Sequence, residues 1–452
     1  MYFDKNNTYI TEDKSVIFDL DKMDFYELNS SYYKKFQDIY YNGINNDKVN
    51  DKEYKEIFDT FFNNRTSYIK HNKRLKELDY IKIHVSNTCN LACKYCYANQ
   101  GNYGSQDKIM TRTTAKRISD IIISKFSNIS NITFFGGEPL LGIDAIEEIC
   151  KNLSEKNIAY NIITNLTLID DKVIEVLNKY NIKITVSVDG PKEINDFNRV
   201  FKNGKGTYDV IAKNINILQR KGMIPICIEG TYTENSAAKY TRQQIASMLY
   251  DDLSIKTISI LNEKKSKQEN TIQDISINED ELKKEVNFTF DNIAANRFIF
   301  LDDIFLIFSY FFSKTFMHYF CRAGIEFVSI NINGDIYPCH LYINKVQYNM
   351  GNIFSNEDLE NENKYTCVRN KMMELNKFKI EKCSKCIARF WCKQCLGSQL
   401  TDDGEMKLNF SEFECNLRKK KTVLVLEKIA ELQKKGLLNE IIKTIYEIQS
   451  EE

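Results

Sequence analysis

The fold is decided by the stretch Ile81–Cys96, which reads IKIHVSNTCNLACKYC. Its first five residues, Ile81–Val85, form a short run rich in β-branched side chains, which is typical of a strand. Three cysteines in CxxxCxxC spacing follow almost directly. In parallel α/β folds the reactive groups lie in the loops that follow the carboxyl ends of the strands. The stretch therefore predicts a parallel sheet in which one strand delivers a cysteine loop to the reactive edge.

Strand-like and helix-like runs alternate over residues 79–261. Such a rhythm requires right-handed crossover connections and therefore a parallel sheet. The strand-like runs after Ile81–Val85 are Ile132–Phe135, Tyr160–Thr164, Ile182–Val188, Ile224–Glu229 and Ile255–Leu261. The helix-like runs lie near Thr113–Phe126, Ile143–Ser154, Asp171–Tyr180, Tyr208–Lys221 and Ala237–Tyr250.

The charge balance and the apolar pattern exclude two classes of partner. The chain has 452 residues with 62 basic and 62 acidic side chains, so its formal net charge is zero and nucleic acid is not expected to bind. The most apolar stretch, Phe298–Phe320, contains Asp302, Asp303 and Lys314. We therefore predict a buried bridging helix over residues 301–320, with no membrane partner.

The cysteines indicate metal chemistry. Thirteen of them occur in a chain whose first residues, Met1–Asp13, lack the basic and apolar segments of a signal peptide. We expect a cytoplasmic protein, whose thiols stay reduced and serve metal binding or catalysis before disulfides. Cys89, Cys93 and Cys96 can bind three irons of a cubane and leave the fourth iron without a protein ligand. A structural zinc site normally has four protein ligands, so zinc fits this trio poorly.

A second motif, Gly136-Gly137-Glu138-Pro139, follows the next predicted strand. Glycines there allow a ligand to approach the backbone, and a glutamate can accept a hydrogen bond from an ammonium group. Alone, such a turn is usually an ordinary loop between a strand and a helix. Together with the cysteine loop it resembles the radical S-adenosylmethionine (SAM) enzymes, and the resemblance covers about residues 79–261.

The resemblance implies an iron–sulfur cluster on Cys89, Cys93 and Cys96, whose open iron binds the amino and carboxylate groups of SAM. Reduction cleaves SAM to methionine and a 5′-deoxyadenosyl radical, which abstracts hydrogen from the substrate. The cofactors supply this chemistry, and the barrel supplies orientation. Arg199 can hold the SAM carboxylate in a bidentate fork, or it can be a surface residue of its loop. The other implied SAM contacts are Gly136, Gly137, Glu138 and Pro139 at the amino group, Tyr95 at adenine, Ser187 at the ribose, and Asn165.

The tail, residues 321–415, contains eight of the thirteen cysteines. A zinc ribbon is disfavoured, because the five residues between its two CxxC pairs fall short of the usual gap of about 15–20. The order resembles the SPASM extension of radical SAM enzymes, which binds two auxiliary 4Fe–4S clusters and brings the total to three. The resemblance assigns Cys383, Cys386, Cys392 and Cys415 to the outer auxiliary cluster, and Cys321, Cys339 and Cys395 to the inner one.

The inner cluster is thereby one ligand short. Its open iron can accept a substrate thiolate, as in the thioether-forming maturases that this arrangement resembles, or Cys367 can be the eighth ligand. Cys150 falls in a predicted helix and Cys227 in a predicted strand, where we expect structural thiols. Sulfatase-maturing relatives carry an aspartate directly after the residue equivalent to Cys339, and this aspartate acts as the base. Here that position is His340, which is a candidate base or a hydrogen-bonding neighbour of the cluster.

The predicted architecture is α/β: a partial (β/α)6 TIM-like barrel with a small N-terminal winged-helix-like module and an irregular Cys-rich C-terminal domain. In relatives a module of this kind pairs a leader peptide onto its strand edge by β-augmentation. We predict the leader-binding module at residues 1–78, the barrel at 79–300, the bridging helix at 301–320, the SPASM domain at 321–417 and a C-terminal helix at 418–452.

The resemblance implies a peptide maturase of ranthipeptide or sactipeptide type. Such an enzyme abstracts a hydrogen from a ribosomally made precursor and joins a Cys sulfur to carbon in a thioether. The alternatives are a sulfatase-type maturase, a maturase that forms C–C or C–O crosslinks, and a multi-cluster electron carrier that is not an enzyme. Gly136–Pro139 disfavours the carrier, which needs no site for the SAM amino group. Expected partners are a precursor peptide with its leader and an electron donor such as flavodoxin or ferredoxin.

Overall fold

The structure is a computed structural model, and its described residues form two sheets. The first is a four-stranded antiparallel sheet near the N-terminus, and the second has nine strands and is mainly parallel. The predicted α/β class is confirmed. The structure describes residues 1–4, 7–63, 78–126, 128–263, 279–297, 299–301, 304–355, 363–401, 403–406, 408 and 411–451.

The N-terminal unit is an antiparallel meander followed by three helices. Asn29 and Asp51 cap two of these helices, because their side chains accept hydrogen bonds from first-turn backbone N–H groups. The strands are β1 (Tyr2–Phe3), β2 (Thr8–Ile10), β3 (Val16–Asp19) and β4 (Asp24–Glu27), and the helices are α1 (Ser30–Asn42), α2 (Asn46–Val49) and α3 (Lys52–Phe61). The winged-helix-like character of the unit stays a prediction.

The meander buries both of its faces. On one face, Phe3 and Ile17 share an apolar cluster with Phe36 of α1. The opposite face enters the main core, where the rings of Phe18 and Phe311 lie 5.6 Å apart between centroids. The unit predicted over residues 1–78 is therefore docked firmly on the body and does not stand apart from it. Residues 64–77 of that prediction lie outside the described residues.

The second sheet contains the predicted barrel strands. Strands β5 to β11 are parallel to their neighbours, β12 joins β5 in parallel, and only β13 runs antiparallel. The order across the sheet is β11-β10-β9-β8-β7-β6-β5-β12-β13. The bounds are β5 (Tyr80–Ser86), β6 (Asn131–Gly136), β7 (Ala159–Thr164), β8 (Lys183–Ser187), β9 (Cys227–Tyr232), β10 (Ile258–Asn262), β11 (Ile299–Leu301), β12 (Phe327–Ile330) and β13 (Ile336–Tyr337).

The first six of these strands, β5 to β10, overlap the predicted runs, although β9 and β10 each begin three residues later than predicted, and β11 to β13 extend the sheet beyond them. Polar N-caps begin several of the connecting helices: Thr111, Asp170 and Thr241 each accept a hydrogen bond from a first-turn N–H. The helices are α4 (Arg112–Lys125), α5 (Ile143–Asn152), α6 (Asp171–Lys179), α7 (Lys192–Asn198), α8 (Tyr208–Arg220), α9 (Glu234–Ala237) and α10 (Arg242–Leu253).

The predicted single helix over residues 301–320 is wrong in its bounds. Ile299–Leu301 is an edge strand, and the helix that follows it, α12 (Ile304–Phe312), ends before Lys314, whose φ of +51° is left-handed. Residues 302 and 303 lie outside the described residues. An unpredicted helix, α11 (Glu279–Ala294), precedes this segment, and its Glu285 forms a buried ion pair with Arg242 at 2.5 Å.

The C-terminal helix predicted over residues 418–452 is two helices. Gly436 adopts a φ of +70°, which stops the first helix and turns the chain into the second. The predicted apolar face, including Leu426, Ile429 and Leu432, is buried. The helices after α12 are α13 (Asn363–Met373), α14 (Glu381–Ser384), α15 (Glu412–Lys434) and α16 (Leu438–Glu451). Across the described ranges, no helix combines the length and apolarity needed to cross a bilayer.

Candidate functional site

The cysteine loop begins directly after β5 and rests on the loop that follows α7. Ala92 N donates to Val200 O at 2.8 Å, and Lys94 N donates to Asn198 O at 3.0 Å. These backbone bonds fix the loop without using any thiol. Burial raises the pKa of Cys89 to about 12, and Glu138 and the two neighbouring thiols act in the same direction. The three thiols, Cys89, Cys93 and Cys96, are half-buried.

The glycine turn after β6 lies against the same loop. Gly136 has a φ of +139°, and a Cβ there would lie 2.2 Å from the Ser86 carbonyl oxygen. A Cβ on Gly137 would lie 2.3 Å from the Thr88 carbonyl oxygen. Gly137 N donates to Ser86 O at 2.9 Å. The glycines therefore let this turn pack on the chain's own backbone, at the start of the cysteine loop.

Gly101 completes this contact and was not predicted. Its φ is +96°, and a Cβ there would lie 2.6 Å from the Gly137 Cα and 3.0 Å from the Cys89 Cβ. Three backbones therefore meet at a point where no side chain fits. The only signal in the sequence is a glycine just beyond the cysteine loop, which alone resembles any turn residue.

Glu138 is buried and its carboxylate is occupied by the chain itself. Oε1 accepts hydrogen bonds from Leu140 N at 3.0 Å and Thr164 Oγ1 at 2.6 Å, and Oε2 accepts one from Asn165 N at 2.9 Å. Burial raises the pKa of Glu138, and these hydrogen bonds oppose the rise. The carboxylate thus joins the ends of β6 and β7, which is a different use from the predicted ammonium contact.

Tyr95, Asp189 and Arg199 form one buried network. The Tyr95 hydroxyl donates to Asp189 Oδ2 at 2.7 Å, and Arg199 Nη1 donates to the Tyr95 oxygen at 2.6 Å. Arg199 Nη1 and Asp189 Oδ1 lie 3.7 Å apart. Burial raises the pKa of Asp189, and Arg199 opposes that rise. Arg199 is 9% exposed, so it is no surface residue, and its Nε has no hydrogen-bond partner among the described residues.

Asn165 and Ser187 lie at neighbouring strand ends. Asn165 Nδ2 donates to Asn90 Oδ1 at 3.0 Å and lies 3.8 Å from Cys89 Sγ. It therefore links the end of β7 to the cysteine loop. Ser187 is the last residue of β8, is half-buried, and pairs in register with Glu229 of β9. The structure thus brings the predicted SAM-contact residues to one edge of the sheet.

A cluster of polar and aromatic side chains, which we call the chamber, lies below this edge and contains Lys82, Tyr97, Phe135, Glu229 and His340. Lys82 and Glu229 are half-buried strand residues, and Lys82 Nζ lies 5.2 Å from the centroid of the Phe135 ring. The His340 ring lies 4.9 Å from Phe135 and 5.5 Å from Tyr97, between centroids. Burial raises the pKa of Glu229, and Lys82 opposes the rise. The chamber was not predicted.

The sequence did carry a signal for the chamber. A strand that is covered on both faces should be apolar throughout, yet β5 alternates Tyr80, Lys82 and His84 with isoleucine and valine. His84 is fully buried, and neither ring nitrogen has a hydrogen-bond partner among the described residues. Burial lowers its pKa to about 3. A neutral imidazole therefore belongs to the chamber wall.

Several tail thiols lie close enough to one another to interact electrostatically, and their assignment to two clusters stays a prediction. Burial raises the pKa of the Cys339 thiol, and Cys321 and Cys395 act on it electrostatically in the same direction. Lys82 also acts on Cys339, so the inner set borders the chamber. In the outer set, Cys386 and Cys415 act on Cys383. Lys377 lies close to Cys392 and to two of these thiols, Cys383 and Cys386, and its Nζ donates a hydrogen bond of 2.8 Å to the backbone carbonyl oxygen of Cys392.

Three cysteines remain outside these sets. Cys150 is buried in α5, as predicted, and Cys227 is half-buried in β9. Cys367 is exposed on α13, unlike the buried Cys339. Within the part of the chain that the structure describes, no three His, Cys, Asp or Glu side chains converge as ligands of a single metal ion. Ligands of a cubane each bind a different iron and stand farther apart.

Two family models match the chain. Residues 83–233 match the model described as Radical SAM superfamily, and residues 321–387 match SPASM, described as an iron–sulfur cluster-binding domain. These matches contain the cysteine loop, the glycine turn and most of the tail cysteines.

The curated relatives include two informative proteins. Radical SAM cyclopropyl synthase TigE of Paramaledivibacter caminithermalis is 33% identical over 226 residues, which cover 42% of this chain and 48% of that protein. A cysteine-type anaerobic sulfatase-maturating enzyme of Clostridium perfringens is 26% identical over 361 residues, which cover 72% of this chain and 91% of that protein. The chain spans about half the length of the first curated relatives it matches.

Solved structures share the fold. Native anSMEcpe with bound AdoMet superposes with a TM-score of 0.63 at 20% identity, covering 78% of this chain and 99% of that chain. Streptococcus suis SuiB bound to precursor peptide SuiA superposes with a TM-score of 0.53 at 18% identity, covering 85% of this chain and 92% of that chain. The predicted partial barrel followed by a Cys-rich domain is confirmed.

Proposed function

Because this chain carries a radical SAM domain followed by a SPASM iron–sulfur cluster-binding domain, we propose that it matures a ribosomally made peptide by joining a Cys sulfur to carbon in a thioether. The observation that carries the thioether assignment is the inner cysteine set. Cys321, Cys339 and Cys395 group together beside the chamber, while Cys367 is exposed on α13. A three-ligand set leaves room for a sulfur ligand from the substrate.

The residues present fit the cofactors. Cys89, Cys93 and Cys96 would hold one 4Fe–4S cluster and SAM, and the seven tail cysteines would hold two auxiliary clusters. The buried Arg199 supports this fit, because it acts electrostatically on Cys93 and keeps an unpartnered Nε. When bound, SAM and its cluster supply a radical that abstracts hydrogen from carbon.

The chain's own residues orient SAM at the strand ends. The backbone of Gly136–Pro139 would receive the methionine amino group, since the Glu138 carboxylate already accepts three hydrogen bonds from the chain. Arg199, held by its hydrogen bond to Tyr95, would bind the SAM carboxylate, and the Tyr95 ring would contact adenine. Asn165 and Ser187 line the remaining side.

The chamber receives the reacting segment of the peptide. Lys82 and Glu229 give it one charge of each sign, and Phe135 and Tyr97 give it apolar walls. Tyr97 is 54% exposed, so a ligand can contact its ring. Because His340 follows a proposed cluster ligand, Cys339, and packs on Phe135, it places the peptide rather than supplying the base of a sulfatase-type maturase.

The N-terminal meander holds the leader peptide on its free edge. β4 is a four-residue strand that pairs with β3 on one side only, among the described residues. A peptide added there gains backbone hydrogen bonds. The precursor peptide bound by SuiB, a structure of the same fold, supports a peptide partner. A flavodoxin or ferredoxin supplies electrons.

A C–C bond-forming maturase is the second candidate, because the 33% identical relative TigE is a cyclopropyl synthase. One experiment separates the two. The reconstituted enzyme is incubated anaerobically with SAM, a reductant and each short Cys-containing peptide that a search of the neighbouring reading frames yields. A thioether product loses two hydrogen atoms and no longer reacts with iodoacetamide. A C–C product loses hydrogen but keeps its reactive thiol.

A further inference from the structure

Lys377 is a lysine with no exposed surface, placed inside the outer cysteine set. Its Nζ donates to the Cys392 carbonyl oxygen at 2.8 Å, and its backbone N donates to His318 O at 2.9 Å. The Phe320 ring lies 6.0 Å from the ammonium, measured to the centroid. The side chain is therefore held in one place by its neighbours.

Among the described residues, no carboxylate is a leading electrostatic partner of this ammonium. Burying an unpaired charge is strongly unfavourable. Burial lowers the pKa of Lys377 to about 8, and the thiols of Cys392, Cys383 and Cys386 oppose that fall. An anion held by these cysteines is the partner that the buried cation lacks.

The second buried cation of this region is satisfied differently. Arg389 is 3% exposed, and its Nη1 donates to the Tyr2 hydroxyl at 3.0 Å and to the Cys386 carbonyl oxygen at 3.2 Å. Its Nη2 lies 4.0 Å from Asp21 Oδ1. Arg389 has a carboxylate of the N-terminal meander as a partner, and it therefore depends less on the cysteine set than Lys377 does.

We propose that Lys377 is the counter-ion of the outer auxiliary cluster and raises its reduction potential. The inference rests on the proposed ligand set Cys383, Cys386, Cys392 and Cys415. A four-thiolate 4Fe–4S cluster is an anion, and reduction adds one further negative charge. A fixed ammonium in a low-dielectric surrounding therefore stabilises the reduced form more than the oxidised form. Lys377 acts through the cluster and touches no substrate.

The test is a redox titration of the anaerobically reconstituted full chain, followed by EPR. Lys377→Met and Lys377→Gln remove the charge, and Lys377→Arg keeps it. Lys385→Met is the matched control, because Lys385 stands between Cys383 and Cys386 in sequence but is exposed, where water screens its charge. Iron is counted for every variant.

In the neutral variants we expect the reduction potential of one cluster to fall by at least about 59 mV. For one electron this is a tenfold change in the equilibrium constant of reduction. Loss of one cluster's iron in the neutral variants alone also supports the proposal. Lys377→Arg and Lys385→Met should match the wild type. Neutral variants with full iron and unchanged potentials would overturn the proposal, as would equal losses in Lys377→Arg.

Failure of the proposed role of Lys377 can be distinguished from failure of the proposed function. A shifted potential in an enzyme that modifies no peptide leaves Lys377 as the counter-ion and removes the maturase assignment. A wild-type protein that loads only one cluster overturns both the outer ligand set and the role of Lys377.

Discussion

Arg199 Nη1 donates a hydrogen bond of 2.6 Å to the Tyr95 hydroxyl, across 104 residues of sequence. The same hydroxyl donates to Asp189 at the end of β8. The loop that carries Cys93 and Cys96 is thus tied to the two loops in which SAM contacts were predicted. These hydrogen bonds within the chain hold the loop in one arrangement, as the orientation of a reactive group requires.

Tyr95→Phe tests this tie. The variant removes the hydroxyl that joins Asp189 to Arg199. The buried carboxylate and the buried guanidinium therefore each lose one hydrogen bond. We expect a loss of about 1–3 kcal/mol in the free energy of unfolding and weaker SAM binding. Thermal unfolding and equilibrium dialysis with labelled SAM measure the two effects. Tyr446→Phe, at a residue 58% exposed on α16, should change neither. Wild-type stability and affinity in Tyr95→Phe would contradict the role of the network.

Iron content tests the cluster count. Three 4Fe–4S clusters give about twelve irons per chain. A Cys89/Cys93/Cys96→Ala variant should keep two clusters and lose SAM cleavage, since the auxiliary sets are built from other elements. Iron analysis and EPR give the count. An unchanged iron content in the variant would remove these three cysteines from the ligand set.

Cys367→Ala tests the open inner site. Cys367 is exposed on α13, so we expect the variant to keep its iron and its crosslinking rate. Cys395→Ala is the matched control, because Cys395 acts on both Cys321 and Cys339, and its loss should remove one cluster. Loss of iron and activity in Cys367→Ala would make this residue the eighth ligand.

Glu27→Pro tests leader binding at β4. Leu28 N donates to Ser15 O, so by antiparallel alternation the N–H of Glu27 points away from β3, toward the free edge. Proline removes that donor and leaves the ladder to β3 intact. We expect about tenfold weaker binding of the leader, with SAM cleavage unchanged. Glu27→Ala controls for the side chain. Equal leader affinity in all three proteins would argue against this edge.

Removing residues 1–63 is a poorer test than this substitution. Phe18 and Tyr9 are buried in the main core, and Phe18 packs on Phe311. A truncated chain would expose this apolar surface and lose stability for reasons unrelated to the peptide.

Cluster assembly should depend on pH. Burial raises the pKa of Cys89 to about 12, so at neutral pH the thiol is protonated until iron displaces the proton. Because iron binds the thiolate, assembly at this site should speed up as pH rises, approaching about tenfold per pH unit if Cys89 is limiting. Absorbance of the cluster during reconstitution follows the rate. A rate independent of pH would show that deprotonation of Cys89 does not limit assembly.

The sequence allowed the sheet to be predicted, because β5 to β10 follow from local apolar runs. The cysteine sets are implied by the resemblance to the radical SAM and SPASM families, and they stay predictions. The contacts that shape the site join distant residues, as Thr164 and Asn165 do at Glu138, and no local pattern indicates them. Gly101 and Lys377 were missed for the same reason, since a lone glycine or lysine takes its meaning from what the fold places beside it.

The predicted ends of individual elements were wrong where the backbone conformation of a single residue sets the end. Lys314 and Gly436 adopt left-handed backbone angles that end two helices, although the apolar pattern continues beyond each. Strand β11 lies within an apolar run that equally suits a helix, and its pairing with β10 decides the outcome.

Mass spectrometry of the peptide product tests the central claim most directly. The anaerobically reconstituted enzyme is given SAM, a reductant and a Cys-containing precursor peptide sought among the neighbouring reading frames, and the product is treated with iodoacetamide. The account predicts a peptide lighter by two hydrogen atoms per crosslink, with no alkylated thiol at the crosslinked cysteine and no product from a Cys→Ser precursor. A peptide of unchanged mass, or one that loses hydrogen while every cysteine is still alkylated, would contradict thioether formation by this enzyme.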